Sequence, residues 1–290
     1  MFEGAHTALI TPMTDRGEVD FDALRTLVAA QTAAGIDGLV PVGTTGESPT
    51  LNVDEHSRII AETIAAAGGA QVIAGTGGNA TDEALALTRA AIDAGATATL
   101  QVTPYYNKPS QAGLVAHFSA VADLGLPVVL YNVPGRSSCE IEVGTVAELA
   151  KHPHVVAIKE AGGSVDRVSQ IRDACDIEIL SGDDSLTLPM LAVGAIGVIS
   201  VASNVIPAAV ARMVRDALEG RWTEACAAHR RWYPLFRDLF LDTNPVPVKA
   251  AMAMLGRIPS DRCRLPLAPM DEALRERLAE TLRRTELLDA

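Results

Sequence analysis

Lys159 closes an apolar run, Val155-Val156-Ala157-Ile158, and is followed at once by Glu160. Side chains alternate along a strand, so Ala157 and Lys159 share one face. A lysine turned into an apolar interior loses solvent, which disfavours the ammonium and frees a neutral amine. Neutral amines attack ketones, so the chemistry on offer is a Schiff base. A strand-end lysine can also simply reach water, or pair with Glu160 as a structural ion pair. Tyr131 shares a face with Val129 in the preceding apolar run, and a phenol beside an amine can relay protons during imine formation. A strand-end tyrosine with its hydroxyl at an interface is the ordinary alternative. Gly43-Thr44-Thr45-Gly46-Glu47 brings backbone N–H groups and two hydroxyls together, enough to hold a carboxylate. A tight Gly-rich turn needs no ligand, however. Arg136 can grip a second carboxylate with two parallel bonds, although a lone loop arginine is more often a surface residue.

Positioning these groups requires a frame. Eight short apolar runs recur, at 6–11, 38–43, 71–77, 98–104, 127–134, 155–161, 178–184 and 197–203. They are continuously apolar rather than alternating, which predicts strands buried on both faces. Helical patterns lie between them. Asp20 and Ser110 stand as N-caps, and Asn52 with Glu55 forms a capping-box pattern. Gly35, Gly125 and Gly220 end helices, and Pro207 opens one. Strand–helix alternation repeated eight times, in near-equal units without a linker, predicts an α/β fold closed as a (β/α)₈ barrel. Such a barrel carries its chemistry at the C-terminal ends of its strands. Those ends are Gly43–Glu47, Thr103–Asn107, Tyr131–Arg136, Lys159-Glu160 and Ser181–Asp184. Residues 1–220 are read as the catalytic barrel. Residues 221–290 are read as three helices, roughly 222–240, 245–256 and 270–288, packed on it.

Composition narrows the function. The chain has 290 residues, 48% hydrophobic and 21% charged, enough to bury a large core without disulfide or metal. Its four cysteines show no C-x-x-C spacing, which fits a reducing compartment and argues against zinc. A net charge of −12 disfavours nucleic acid as a partner. The first residues lack a signal-peptide pattern and no run is long enough to span a bilayer, so a soluble cytoplasmic protein acting on small molecules is expected. Two motifs mislead. Gly75-Thr76-Gly77-Gly78-Asn79-Ala80 resembles a dinucleotide fingerprint, but the acid expected about 20 residues on is missing, so it reads as a turn. His152-Pro153-His154 has no further ligand at usable spacing, so no metal is expected.

Taken together, GTTGES (43–48), VTPYYNKPSQ (102–111), YNVPGR (131–136), IKEA (158–161) and SGDD (181–184) resemble the dihydrodipicolinate synthase / N-acetylneuraminate lyase family over nearly the whole chain. The tail motif Asn244-Pro245-Val246-Pro247-Val248-Lys249 belongs to the likeness. The resemblance implies Lys159 as Schiff-base lysine and Tyr131 as proton relay. Thr44 would link that phenol to Tyr106, which reaches in from a neighbouring subunit. It further implies Thr45 at the pyruvate carboxylate, Arg136 at the aldehyde's carboxylate, and Gly182 and Ile199 near the pyruvate. Arg136 and the Thr44-Thr45 pair favour the synthase branch over the sialic-acid lyases. The implied reaction joins pyruvate to (S)-aspartate 4-semialdehyde without metal or organic cofactor, in a homotetramer built as a dimer of dimers. The positions matching the family's lysine-inhibition site, Ser48, His56, Asn79, Glu83 and Tyr105, are present, with departures at Pro49 and Val53. The rivals are a sibling aldolase acting on a sugar-derived 2-keto acid, and a non-catalytic barrel that binds pyruvate or an amino acid. The second has no use for a relay.

Overall fold

Valine, isoleucine and leucine crowd the strands because both faces of each strand are covered, one by the barrel interior and one by helices. The computed structural model describes residues 1–289. Its strands are β1 (Gly4–Ala8), β2 (Gly38–Val40), β3 (Gln71–Gly75), β4 (Ala98–Val102), β5 (Val128–Asn132), β6 (Val155–Glu160), β7 (Glu178–Ser181) and β8 (Gly197–Ser200). Each pairs in parallel with the next, and β8 returns to β1, closing the barrel. The expected eight-stranded barrel is therefore what forms.

Each strand stops short of the end of its apolar run, most by two or three residues. The segments Gly43–Glu47, Tyr105–Asn107 and Asp183-Asp184, read as strand ends, lie in the loops that follow. There the chain leaves the ladder and turns towards a helix, so these side chains surround the mouth.

The helices are α1 (Phe21–Ala33), α2 (Val53–Ala66), α3 (Thr81–Ala94), α4 (Gln111–Ala122), α5 (Pro134–Ser137), α6 (Val143–Leu149), α7 (Asp166–Ala174), α8 (Thr187–Ala192) and α9 (Pro207–Leu218), then α10 (Trp222–Asp238), α11 (Val246–Met254) and α12 (Glu272–Arg284). Their starts follow the sequence signals. Asp20 accepts from Ala23 N, Ser110 accepts from Gly113 N, and Asn52 and Glu55 form a reciprocal capping box. Each such cap satisfies donors the first turn cannot, worth about 1 kcal/mol.

Two buried clusters hold the molecule together. The inner one fills the barrel with Phe2, Val40, Ile73, Leu100, Val129, Ala157, Leu180 and Ile199, and reaches Tyr131 at its upper edge. The outer one lies between strands and helices. It includes Leu235, Phe236, Val248, Met252, Leu278 and Leu282 from α10–α12, so the tail helices share the barrel's outer core. Truncating Ile73 to alanine would cost about 2–5 kcal/mol, because the closed barrel has no freedom to collapse around the hole.

Candidate active site

β6 places Lys159 on the face that Ala157 gives to the barrel interior, and β5 places Tyr131 directly opposite in register. Both are buried. The lysine Nζ stands 4.3 Å from the centre of the Tyr131 ring. The neighbouring Glu160 turns the other way, as strand alternation demands. It accepts from Asn132 Nδ2 at 2.9 Å, Gly162 N at 2.7 Å and Arg167 Nε at 2.7 Å. The structural pairing of Lys159 with Glu160 is thereby excluded: Glu160 belongs to Arg167, and the lysine amine is left for other work.

The charges facing Lys159 come from the end of β7. Burial raises the carboxyl pKa of both Asp183 and Asp184, and the lysine charge pulls each back down. Asp184 also accepts from Ser200 Oγ, Val201 N and Ala202 N, which fixes the start of the loop after β8. Gly182 sits against the lysine. A Cβ there would lie 2.6 Å from Ala161 Cβ and 3.1 Å from Lys159 Cε, so only glycine lets the amine's stem pass.

Above this floor opens a cavity of about 220 Å³, lined among others by Gly43, Thr44, Tyr105, Tyr131, Val133 and Arg136. Lys159 does not line the wall; its amine is packed against Tyr131, which does. Arg136 is carried by the short helix α5 that directly follows β5, so Tyr131 and Arg136 are held by one continuous turn. Thr45 lies outside the wall, buried, with its hydroxyl accepting from Asn244 Nδ2 at 2.9 Å. Ile199 is part of the barrel floor, paired in register with His6. The structure therefore brings Lys159, Tyr131, Thr44, Arg136 and Gly182 together. Tyr106 stands apart: it is 90% exposed and adopts a left-handed φ of 75°.

A second cavity, of about 330 Å³, adjoins the first. Ser48, His56, Glu83 and Tyr105 line it together with Pro49 and Val53, while Asn79 does not contribute to its wall. Asn79 instead accepts from Asn107 Nδ2 through its backbone carbonyl. Burial and the Glu83 charge raise the Tyr105 phenol pKa, and burial lowers that of His56. Ser48 and Tyr105 border both cavities.

In the Gly75–Ala80 turn, Thr76 N and Gly77 N both donate to Leu100 O. His152 bonds Asp123, and His154 Nδ1 bonds Ala122 O. Among the described residues no group of three or more His, Cys, Asp or Glu is arranged to hold a metal, and no helix is long and apolar enough to cross a membrane.

Two contributors escaped the sequence reading. Asn244 and Lys249 appear in the tail motif only as part of a likeness, yet both reach the Gly43–Glu47 loop. Lys249 is fully buried, and a fully buried lysine needs a partner, which Glu47 supplies at 2.7 Å. The signal for this was a lysine inside an apolar helix, Val246-Pro247-Val248-Lys249-Ala250-Ala251.

Comparison with known proteins agrees with this geometry. The chain is 47% identical over 292 residues to the 4-hydroxy-tetrahydrodipicolinate synthase of Endomicrobium trichonymphae, covering 99% of this chain and all of that one. Its structure superposes on the 4-hydroxy-tetrahydrodipicolinate synthase of Methylacidiphilum fumariolicum SolV with a TM-score of 0.96, at 50% identity, covering 99% and 96% of the two chains. The enzyme of Cyanidioschyzon merolae, solved with lysine bound, matches with a TM-score of 0.96 at 40% identity, covering 99% of each chain. The model of the Dihydrodipicolinate synthetase family matches residues 1–285, and with a closed barrel that buries Lys159 against Tyr131, the chain belongs to that family.

Proposed function

We infer that the protein is a lyase that condenses pyruvate with (S)-aspartate 4-semialdehyde to 4-hydroxy-tetrahydrodipicolinate, on the route to diaminopimelate and lysine. The observation that carries this reading is the Lys159 amine, buried against the Tyr131 phenol below a cavity whose rim bears Arg136. The Lys159 amine attacks the ketone carbon of pyruvate, and Tyr131 delivers the proton with which the carbinolamine hydroxyl leaves as water. Loss of a methyl proton gives the enamine, whose carbon attacks the aldehyde of the second substrate. Arg136 holds that substrate's carboxylate. The semialdehyde's own amine then displaces Lys159 as the ring closes, which restores the free enzyme and balances the reaction with one water released.

Thr44 stands on the cavity wall to pass protons between Tyr131 and a Tyr106 supplied by a partner subunit. The Tyr106 side chain, exposed in a single chain, is available to a neighbouring subunit, and we read the assembly as a dimer of dimers acting in the cytoplasm. The barrel of residues 1–220 carries the chemistry and the helices of residues 221–290 brace it. The experiment is borohydride reduction in the presence of pyruvate, followed by peptide mapping, with and without added aspartate semialdehyde. A pyruvate adduct on Lys159 and turnover with the semialdehyde are expected. An adduct elsewhere, or turnover only with sugar-derived 2-keto acids, overturns the reading.

A second reading concerns control. The cavity walled by Ser48, His56, Glu83 and Tyr105 suits a free lysine, its ammonium on Glu83 and its carboxylate near Tyr105. Tyr105 borders the catalytic cavity as well, so a ligand that orders it reaches the site.

A further inference from the structure

The loop that ends at Glu47 is held by the C-terminal helices through buried polar contacts. Lys249 Nζ spends its three protons on Glu47 Oε1 at 2.7 Å, Thr11 O at 3.0 Å and Arg262 O. Glu47 Oε2 accepts from Arg264 N at 2.9 Å, and Gly46 O accepts from Thr11 Oγ1 at 2.7 Å. Glu47 itself sits at a left-handed φ of 58°. A non-glycine residue keeps that conformation only where its surroundings hold it. The loop is therefore set before any ligand arrives.

Asn244 adds direction to this rigidity. Its Nδ2 donates to Thr45 Oγ1 at 2.9 Å, in a buried setting on both sides. A hydroxyl has one proton to give. The amide fills an acceptor position of that oxygen, so the hydroxyl proton points to some acceptor other than Asn244; Thr45 is buried directly behind Thr44, the neighbouring residue that lines the cavity wall. An anion is the ligand that such a donor favours. The opposite end of the amide fits: Asn244 Oδ1 has no hydrogen-bond partner among the described residues, so the nitrogen's bond to Thr45 is the one hydrogen bond that orients the side chain.

We propose that Asn244 is a positioning residue for pyruvate: its amide nitrogen fixes the Thr45 hydroxyl as a donor, so that the hydroxyl receives the substrate carboxylate. This rests on the reading of Thr45 as a carboxylate contact. Asn244 touches no reacting atom, and its effect passes entirely through Thr45.

The test is the Michaelis constant for pyruvate in Asn244→Ala and Asn244→Asp, each alone and combined with Thr45→Val, with thermal melting as the folding control. Asn244→Ala is expected to raise the pyruvate KM several-fold, and Asn244→Asp more, because a carboxylate takes the Thr45 proton for itself. The semialdehyde KM and kcat at saturating pyruvate should change far less than the pyruvate KM. In the Thr45→Val background, Asn244→Ala should add no further change. A role in folding alone would lower kcat and melting temperature together, and would persist without the hydroxyl. If Asn244→Asp does not fold, Asn244→Ala with and without Thr45→Val decides. A wild-type chain that traps no pyruvate with borohydride would remove the reading of the site as a whole. A wild type that traps it, while Asn244→Ala leaves the pyruvate KM unchanged or acts equally without the hydroxyl, overturns the role of Asn244 alone.

Discussion

Lys159 and Tyr131 face each other across the β5–β6 ladder, with the amine nitrogen 4.3 Å from the centre of the phenol ring. That closeness separates two losses. Lys159→Arg retains the charge but removes the amine proposed to attack pyruvate, because a guanidinium stays protonated. Borohydride trapping should then vanish. Tyr131→Phe keeps the amine and the packing but removes the phenol proposed as relay, so trapping should slow while kcat falls by about 10²–10⁴-fold. Equal trapping rates in Tyr131→Phe and wild type would show that the phenol moves no proton in imine formation.

Arg136 rides on α5, one turn beyond Tyr131. Arg136→Ala should raise the semialdehyde KM by roughly ten- to hundredfold, the range expected for a lost charge-assisted bond, and leave pyruvate trapping largely intact. Steady-state kinetics with each substrate varied in turn would show it. Equal damage to both substrates would place Arg136 at the pyruvate end instead.

Tyr106 projects from a single chain with 90% exposure. If a partner subunit uses it, then mixing inactive Lys159→Ala with inactive Tyr106→Phe chains should restore activity in mixed assemblies, where one site regains both groups. Activity is measured after subunit exchange has been verified by mass. No recovery would count against a shared site.

Lysine should inhibit turnover at millimolar concentration through the second cavity. Val53, more than half exposed at its rim, offers no hydrogen bond, so affinity is weaker than a fully polar wall would give. Glu83→Ala should raise the half-inhibitory lysine concentration several-fold, since it removes the carboxylate facing the ammonium. Each variant's rate without lysine serves as its reference. An unchanged half-inhibitory concentration would place lysine elsewhere.

Glu55 bonds the Arg264 guanidinium at 2.6 and 2.7 Å, and that pairing holds its carboxyl below the ordinary value of 4.5. A carboxyl with a depressed folded-state pKa stabilises the fold above the unfolded value, and the gain fades as pH falls through the folded value. Glu55→Gln should therefore lower the melting temperature by roughly 2 °C at neutral pH, in keeping with a partly exposed ion pair in a chain of this size. Below the folded pKa the two proteins should melt together. A difference independent of pH would assign the loss to packing rather than charge.

The sequence by itself determined the barrel and the strand face that carries Lys159. Runs such as Val128-Val129-Leu130 can only be buried on both faces, and eight of them alternating with capped helices leave few other closures. The period of two set Lys159 on the same face as Ala157, whereas its register opposite Tyr131 was set by the β5–β6 ladder of the folded barrel. Contacts distant along the chain were not legible in this way. Asn244 lies 199 residues from Thr45, and Lys249 lies 202 from Glu47. No local period encodes such separations, so only the packing of the tail helices against the barrel decided them. The same holds for the fate of Glu160, which a sequence neighbour's charge made a plausible partner for Lys159. Strand alternation sends the two to opposite faces, and the packing of α7 then delivers Arg167 to the buried carboxylate. Asn79 was grouped with Ser48, His56, Glu83 and Tyr105 by the family resemblance, yet it does not line the cavity those four share. Side-chain type and spacing fix what chemistry is available, whereas the closure of the barrel and the docking of its tail fix which groups meet.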